Sequence, residues 1–246
     1  MAQPIRFLAS VEQVTHHTPD VATYRLRAEK RLPRFIPGQF IHLTLEPFDP
    51  AGFWPESRVF SVANAVTDLR TVELTVSRQG GYTSKILDQL QVGDQVWAKG
   101  PYGDFTIDAI AGHRQVVLIA GGTGITPFCA FMDAALSQAA LPIEQATLYY
   151  GAQTPELLIY RPLADQCAAA VPGFQVHYFA EHQAPNRDPA IQPGRLDLVQ
   201  IMATIPEPAA TAFYLSGPKP MIEAFRLGLT GTYHLSPAQV LIDAWE

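Results

Sequence analysis

The hydrophobic pattern changes period near the middle of the chain, so the two halves call for different architectures. In residues 1–110 apolar and polar side chains alternate. The stretch "RTVELTVSR" puts Val72, Leu74 and Val76 on one face and Glu73, Thr75 and Ser77 on the other. "FIHLTL" sets Ile41, Leu43 and Leu45 against His42 and Thr44, and "ATYRLRA" sets Tyr24 and Leu26 against Arg25 and Arg27. A period of two is the mark of a half-buried strand. "QVWAKG" supplies a further short strand, and Pro37-Gly38 and Val92-Gly93-Asp94 are turn signals between strands. Short alternating strands at this spacing predict a small antiparallel barrel, taken as six-stranded. One short helix, "TSKILDQL", interrupts it, with Thr83 or Ser84 placed to cap it.

Residues 111–246 behave differently. "VVLIA" is a continuous apolar run, as a parallel strand buried on both faces demands. Phe128, Phe131, Met132, Ala135 and Leu136 then follow the spacing of an amphipathic helix. "ATLYYGA", "FQVHYFA", "AFYLSGP" and "VLIDAW" are later strands, with helices expected over 163–170, 195–203 and 219–229. This alternation predicts a doubly wound parallel sheet. The expected boundary lies near Ile107–His113, giving domains 1–110 and 111–246, and residues 182–195 form a proline-rich loop.

Composition narrows the function classes. A chain of 246 residues accommodates two ordinary domains. Its net charge of −6, with no long basic run, argues against nucleic acid as the main partner. The two cysteines, Cys129 and Cys167, exclude a disulfide framework and any four-thiolate cluster within these residues. The seven histidines show no metal-ligand spacing, so no metal is assigned. The start, "MAQPIRFLAS", lacks the apolar run of a secretory signal, and no stretch reaches ~18 apolar residues. The expectation is a cytoplasmic protein without a membrane span.

The stretch with most chemical content is "VVLIAGGTGITPF". Ligands of doubly wound sheets bind beyond the carboxyl ends of the strands, and Gly121–Pro127 sits at such an end. Glycine permits close backbone approach and positive φ, while Thr126 is placed to cap the next helix and Pro127 suits its first turn. Free amides and the dipole at a helix start favour an anion. The competing reading is a strand–turn–helix corner whose glycines serve packing alone.

Four other motifs accompany it, and together they resemble the ferredoxin–NADP reductase superfamily. "GGTGITP" resembles its nicotinamide-binding turn, "RVFS" (Arg58–Ser61) its R-x-Y-S flavin motif, and "GGYTS" (Gly80–Ser84) its pyrophosphate turn. "GPYGDF" (Gly100–Phe105) is similar to the segment that closes its barrel, and "SGPKPM" (Ser216–Met221) to its C-G-P-x-x-M segment. The resemblance spans nearly the whole chain, in the family's order. It implies a flavin-binding barrel followed by a nicotinamide-binding domain, with FAD rather than FMN, and NADH or NADPH as hydride donor.

The resemblance also implies roles for individual residues. Arg58 would pair with the flavin pyrophosphate, through a guanidinium fork suited to phosphate oxygens. Phe60 would stack on the flavin, although it lacks the phenolic donor of the family's tyrosine. Ser61 would lie near the edge where hydride arrives. Val76, Gly81, Tyr82, Thr83 and Ser84 complete the expected flavin contacts. Gly121, Gly122, Thr123, Gly124, Thr126, Pro127, Gly151, Gly217, Pro218 and Met221 complete those to nicotinamide. Ser216 replaces the family's cysteine and would donate a hydrogen bond at the ring, with slower hydride transfer. Trp245 would cover the flavin or simply anchor the last strand.

The loop "YYGAQTPELLIY" contains no Lys or Arg and carries Glu156, which points to NADH; the alternative is that Arg161 or Lys219 folds back to hold a 2′-phosphate. Electrons would leave to a separate acceptor: ferredoxin, flavodoxin, an oxygenase component or free flavin. Arg25, Arg27, Lys30, Arg31 and Arg34 would dock an acidic partner, or form only a solvated edge. The alternative function is a non-catalytic flavin- or nucleotide-binding subunit of a larger assembly.

Overall fold

The structure, a computed structural model, describes residues 3–107, 113–138, 141–182 and 188–243. These fall into two compact units. One holds residues up to Ile107 together with Thr126–Phe131; the other holds the remainder. Part of the expected boundary, and Trp245, lie outside the described residues.

The first unit is a six-stranded antiparallel barrel. Its strands are β1 (Ile5–Thr18), β2 (Val21–Ala28), β3 (Phe40–Thr44), β4 (Arg58–Ser61), β5 (Thr71–Ser77) and β6 (Gln95–Tyr102), in the order β4-β3-β6-β1-β2-β5. The alternation seen in the sequence becomes inside and outside: Leu26, Ile41, Leu43, Val72, Leu74 and Val76 are all buried in one core. The ends of the sheet meet just after β4. There Ala63 N–H donates to the Glu73 carbonyl at 2.8 Å, and the Asn64 side chain accepts from Glu73 N–H at 2.8 Å and donates to the Thr71 carbonyl at 3.0 Å. Between β5 and β6 lies helix α1 (Gly81–Gln89), whose Tyr82 and Ile86 join the same core.

β1 is missing from the sequence reading. Only its first half alternates cleanly (Phe7, Ala9 and Val11 inward); its second half, "EQVTHHT", is polar, and its pairing with β2 is irregular at Val11/Gln13 and His16/Thr18. A long bulged strand shared between two neighbours has no single period to detect.

The second unit is an all-parallel sheet of β7 (Gln115–Gly121), β8 (Gln145–Ala152), β9 (Phe174–Ala180), β10 (Ile191–Pro193), β11 (Thr211–Ser216) and β12 (Val240–Ile242). Their order is β10-β9-β8-β7-β11-β12. The helices α2 (Thr126–Gln138, of which Met132–Gln138 fall in this unit), α3 (Arg161–Ala170), α4 (Leu198–Ala203) and α5 (Lys219–Leu227) occupy the expected connections. The central β7 is buried from Val116 to Gly121, as its continuous apolar run requires. The chain winds outward from β7 through β10, then returns to β11 on the other side of β7. The direction of winding therefore reverses between β7 and β11, and that switch point is where such sheets take their ligands. No helix among the described residues is long and apolar enough to cross a membrane.

Candidate functional site

In the first unit the motifs at β4 and α1 converge. The Arg58 guanidinium lies over the Tyr82 ring, 4.7 Å from its centroid, at the first turn of α1. Tyr82 is pinned: its hydroxyl donates to the Glu56 carbonyl at 3.0 Å and accepts from Leu45 N–H at 3.0 Å. Tyr82 is thus a platform holding Arg58 beside the amides of a helix start, a role beyond the simple flavin contact expected from the sequence. Arg58 also donates to Glu56 Oε1 at 2.8 Å, a solvent-facing pair. The first turn of α1 carries no acidic side chain, and a Cβ on Gly80 or Gly81 would meet nothing within 4 Å. Neither glycine is required by packing, and the space beside them is open. A cation, the amides of a helix start and room for backbone approach suit a diphosphate, so these residues fit the flavin expected here.

Several flavin-side expectations change. Thr83 is not the helix cap. Gly80 holds that position, and the Thr83 hydroxyl accepts from Gln79 N–H (2.9 Å) and Gly80 N–H (3.1 Å) while donating to the Gly80 carbonyl (3.1 Å). Its proton is therefore committed to the turn. Val76 is fully buried, so its side chain packs in the barrel core. Phe60 is 9% exposed and packs in the core with Ile41, Leu43 and Tyr82, and Ser61 is 6% exposed at the end of the same strand. Of the proposed docking cations, Arg25 is paired with Glu73 at 2.8 Å, and Arg27 lies 3.6 Å from both Glu12 and Asp68. That leaves Lys30, Arg31 and Arg34 as the exposed cations of this stretch with no ion pair among the described residues.

In the second unit the motifs after β7 and β11 interlock. A Cβ on Gly124 would stand 2.5 Å from Gly217 Cα, Gly217 N and the Ser216 carbonyl oxygen. One on Gly121 would stand 2.8 Å from Pro218 Cδ and 3.0 Å from Met221 Sδ, and one on Gly217 2.8 Å from Met221 Cε. These glycines are needed because the two turns touch backbone to backbone, and Met221 seals the contact. Gly151 likewise leaves room for Leu196, whose Cγ would lie 2.7 Å from an added Cβ. Gly122 is different: its φ is +56° and nothing lies within 4 Å of where its Cβ would be. It opens a 3-10 turn, Gly122–Ile125, and α2 begins only at Thr126. The helical start is therefore one turn earlier than expected, and Thr126 is the first residue of α2 rather than its cap, while Pro127 lies in the first turn of α2 as expected. The open left-handed Gly122 and the amides of Thr123 and Gly124, at the switch point, fit a dinucleotide phosphate.

Ser216 also departs from expectation. It is 1% exposed, and its hydroxyl donates to Asp243 Oδ2 at 2.8 Å. The proton expected at the nicotinamide ring is engaged within the protein. Asp243, 4% exposed, went unnoticed in the sequence; a carboxylate inside the apolar "VLIDAW" was the available signal, because buried acids need partners. Ser216→Ala removes a donor from this buried carboxylate and is expected to lower stability by about 1–3 kcal/mol, measured by urea unfolding. Unchanged stability would mean the pair is not formed in solution.

Two family models match the chain: an oxidoreductase FAD-binding domain over residues 8–107, and an oxidoreductase NAD-binding domain over residues 118–226. Among curated proteins, the chain is 32% identical over 225 residues to the reductase component of propane 2-monooxygenase from Mycolicibacterium smegmatis, covering 87% of this chain and 60% of that protein. It is 31% identical over 192 residues to the ferredoxin–NAD(+) reductase component of the alkene monooxygenase system of Xanthobacter autotrophicus, covering 77% and 55%. The chain thus spans a little over half the length of these relatives. Among solved structures, it is similar to a cytochrome P450 reductase from Amycolatopsis, with a TM-score of 0.80 at 27% identity, covering 98% of this chain and 69% of that one. It also shares the fold of the FAD/NAD-binding domain of a Vibrio cholerae nitric oxide dioxygenase, with a TM-score of 0.81 at 20% identity.

Proposed function

This chain belongs to the ferredoxin–NADP reductase superfamily, and from that membership we propose that it is an FAD-dependent NADH oxidoreductase feeding electrons to a separate oxygenase component. The observation that carries this reading is the pair of anion-accepting helix starts, one in each unit. The first stands beside Arg58 on its Tyr82 platform; the second lies at the β7/β11 switch point with Gly122 open. When bound, the flavin accepts a hydride from the nicotinamide and passes electrons on. The chain's own residues hold and orient. Arg58 and the α1 amides neutralise one diphosphate, and the Gly122–Gly124 amides meet the other. The interlocked glycines and Met221 keep that second turn rigid, so its amides need no rearrangement on binding.

The preference for NADH rests on the loop Tyr149–Tyr160, which lacks cations, and on Arg161, whose charge is engaged by acids. The ferredoxin–NAD(+) reductase name of the alkene monooxygenase relative agrees with it. An oxygenase component as acceptor is favoured by the monooxygenase reductases among the relatives. Lys30, Arg31 and Arg34 are the cations left to meet an acidic partner.

Anaerobic titration tests the proposal. The purified protein is expected to be yellow, to bleach on stoichiometric NADH, and to bleach far more slowly with NADPH. Protein that stays colourless with added FAD would sink it. Bound flavin that no dinucleotide reduces would instead favour a non-catalytic subunit, a reading to which the engaged Ser216 hydroxyl lends support.

A further inference from the structure

Arg161 is the first residue of α3 and the first cation after the Tyr149–Tyr160 loop, at the carboxyl edge of β8 and β9. It is closely held. Its Nη1 donates to Asp188 Oδ2 at 2.7 Å, and its Nε lies 3.4 Å from Asp165 Oδ2. Its Cζ stands 5.1 Å from the centroid of the Tyr178 ring. The second carboxylate is itself fixed, because the Tyr178 hydroxyl donates to Asp165 Oδ1 at 2.7 Å. Asp188 is fixed too, accepting Ala190 N–H at 2.8 Å. The Arg161 side chain keeps only 28% exposure. Two carboxylates against one guanidinium leave this edge net negative, with Glu156 exposed nearby in sequence.

We propose that Asp188 and Asp165 set the preference for the dinucleotide without a 2′-phosphate, by holding Arg161 in a closed ion-pair cluster. This rests on the reading above that a nicotinamide dinucleotide crosses the carboxyl edge of the parallel sheet. A 2′-phosphate needs a cationic partner, and Arg161 has the planar fork for it. To serve, Arg161 must leave Asp188, and the phosphate must approach two carboxylates. A ribose hydroxyl meets neither cost, since it carries no charge and can donate to a carboxylate. Selectivity here is thus built from repulsion as well as from the lack of a cation in the loop before Arg161.

The experiment compares wild type, Asp188→Asn, Asp165→Asn and the double variant D188N/R161Q. Two readouts are used: kcat/KM for NADH and NADPH with ferricyanide as acceptor, and calorimetric binding of 2′,5′-ADP against 5′-AMP. Asn at 188 can still accept from Ala190 N–H, so the turn is kept. In D188N the NADPH-to-NADH ratio is expected to rise roughly 10-fold, with 2′,5′-ADP binding tightened by a similar factor and 5′-AMP binding unchanged. Adding R161Q is expected to erase both gains. D165N is expected to give a smaller gain, because its contact to Arg161 is longer. Unchanged ratios in both single variants overturn the proposal, as does a gain that survives R161Q, which would reflect lost charge alone. A wild type that binds 5′-AMP but oxidises neither dinucleotide overturns the catalytic reading, while the 2′,5′-ADP comparison still decides the role of Arg161.

Discussion

Arg58→Ala is expected to purify with little or no FAD and to bind added FAD roughly 10–100-fold more weakly than wild type, the loss of one charge-assisted contact to phosphate. The physical basis is local. Arg58 is held over the Tyr82 ring at the start of α1, and Tyr82 is anchored by hydrogen bonds to Glu56 and Leu45. The substitution should not unfold the barrel. The Arg58–Glu56 pair is solvent-facing on both sides, and such pairs contribute at most about 1 kcal/mol. Flavin absorbance per protein and titration of the flavin-free protein measure the effect, with the melting temperature of the flavin-free form as control. Arg58→Lys should recover part of the affinity, since it keeps the charge but not the fork. Stoichiometric FAD in Arg58→Ala, at unchanged affinity, would mean the flavin site has been placed on the wrong residues.

Gly124→Val is expected to abolish NADH-dependent reduction and to lower stability by more than about 3 kcal/mol. Even Gly124→Ala should be severe, because the first added atom would stand 2.5 Å from three backbone atoms of Ser216 and Gly217. Neither turn can retreat cheaply. Each follows directly on a strand, and β7 and β11 are paired from Thr211↔Gln115 to Ser216↔Ala120. Gly122→Ala provides the contrast. Its Cβ meets open space, so its cost is that of a left-handed φ alone, about 1 kcal/mol, with weakened nicotinamide binding as the main effect. Thermal melts with NADH titrations separate the two variants. A Gly124→Ala protein as stable as wild type would show that the turns do not interlock in solution.

The interlock answers the question that "GGTGITP" raised. In sequence, its glycines had two readings, ligand approach or packing. The structure divides them: Gly121 and Gly124 serve packing, while Gly122 faces open space. Sequence spacing could not separate the two readings, because Gly217 and Met221 lie about a hundred positions downstream of their partners. A shorter separation, 27 positions in each case, was enough to hide the Asp243–Ser216 pair and the hold of Asp188 on Arg161. Thr83 and Thr126 erred for a nearer reason. A hydroxyl near a helix start suits both the cap and the first turn, and a helix that begins earlier shifts every position.

By itself, the sequence determined the two architectures, because hydrophobic period is a local property: alternation yields strands with one buried face, and a continuous apolar run yields a strand buried on both. It also marked the two glycine turns at which the structure leaves open space beside Gly80, Gly81 and Gly122, since those motifs lie within a few residues. Tertiary structure alone decided which glycines are spent on packing, where the Ser216 proton goes, and which charges stay available. Those depend on groups distant in sequence that come within a few ångströms only once β7 and β11, or α3 and the segment before β10, lie side by side.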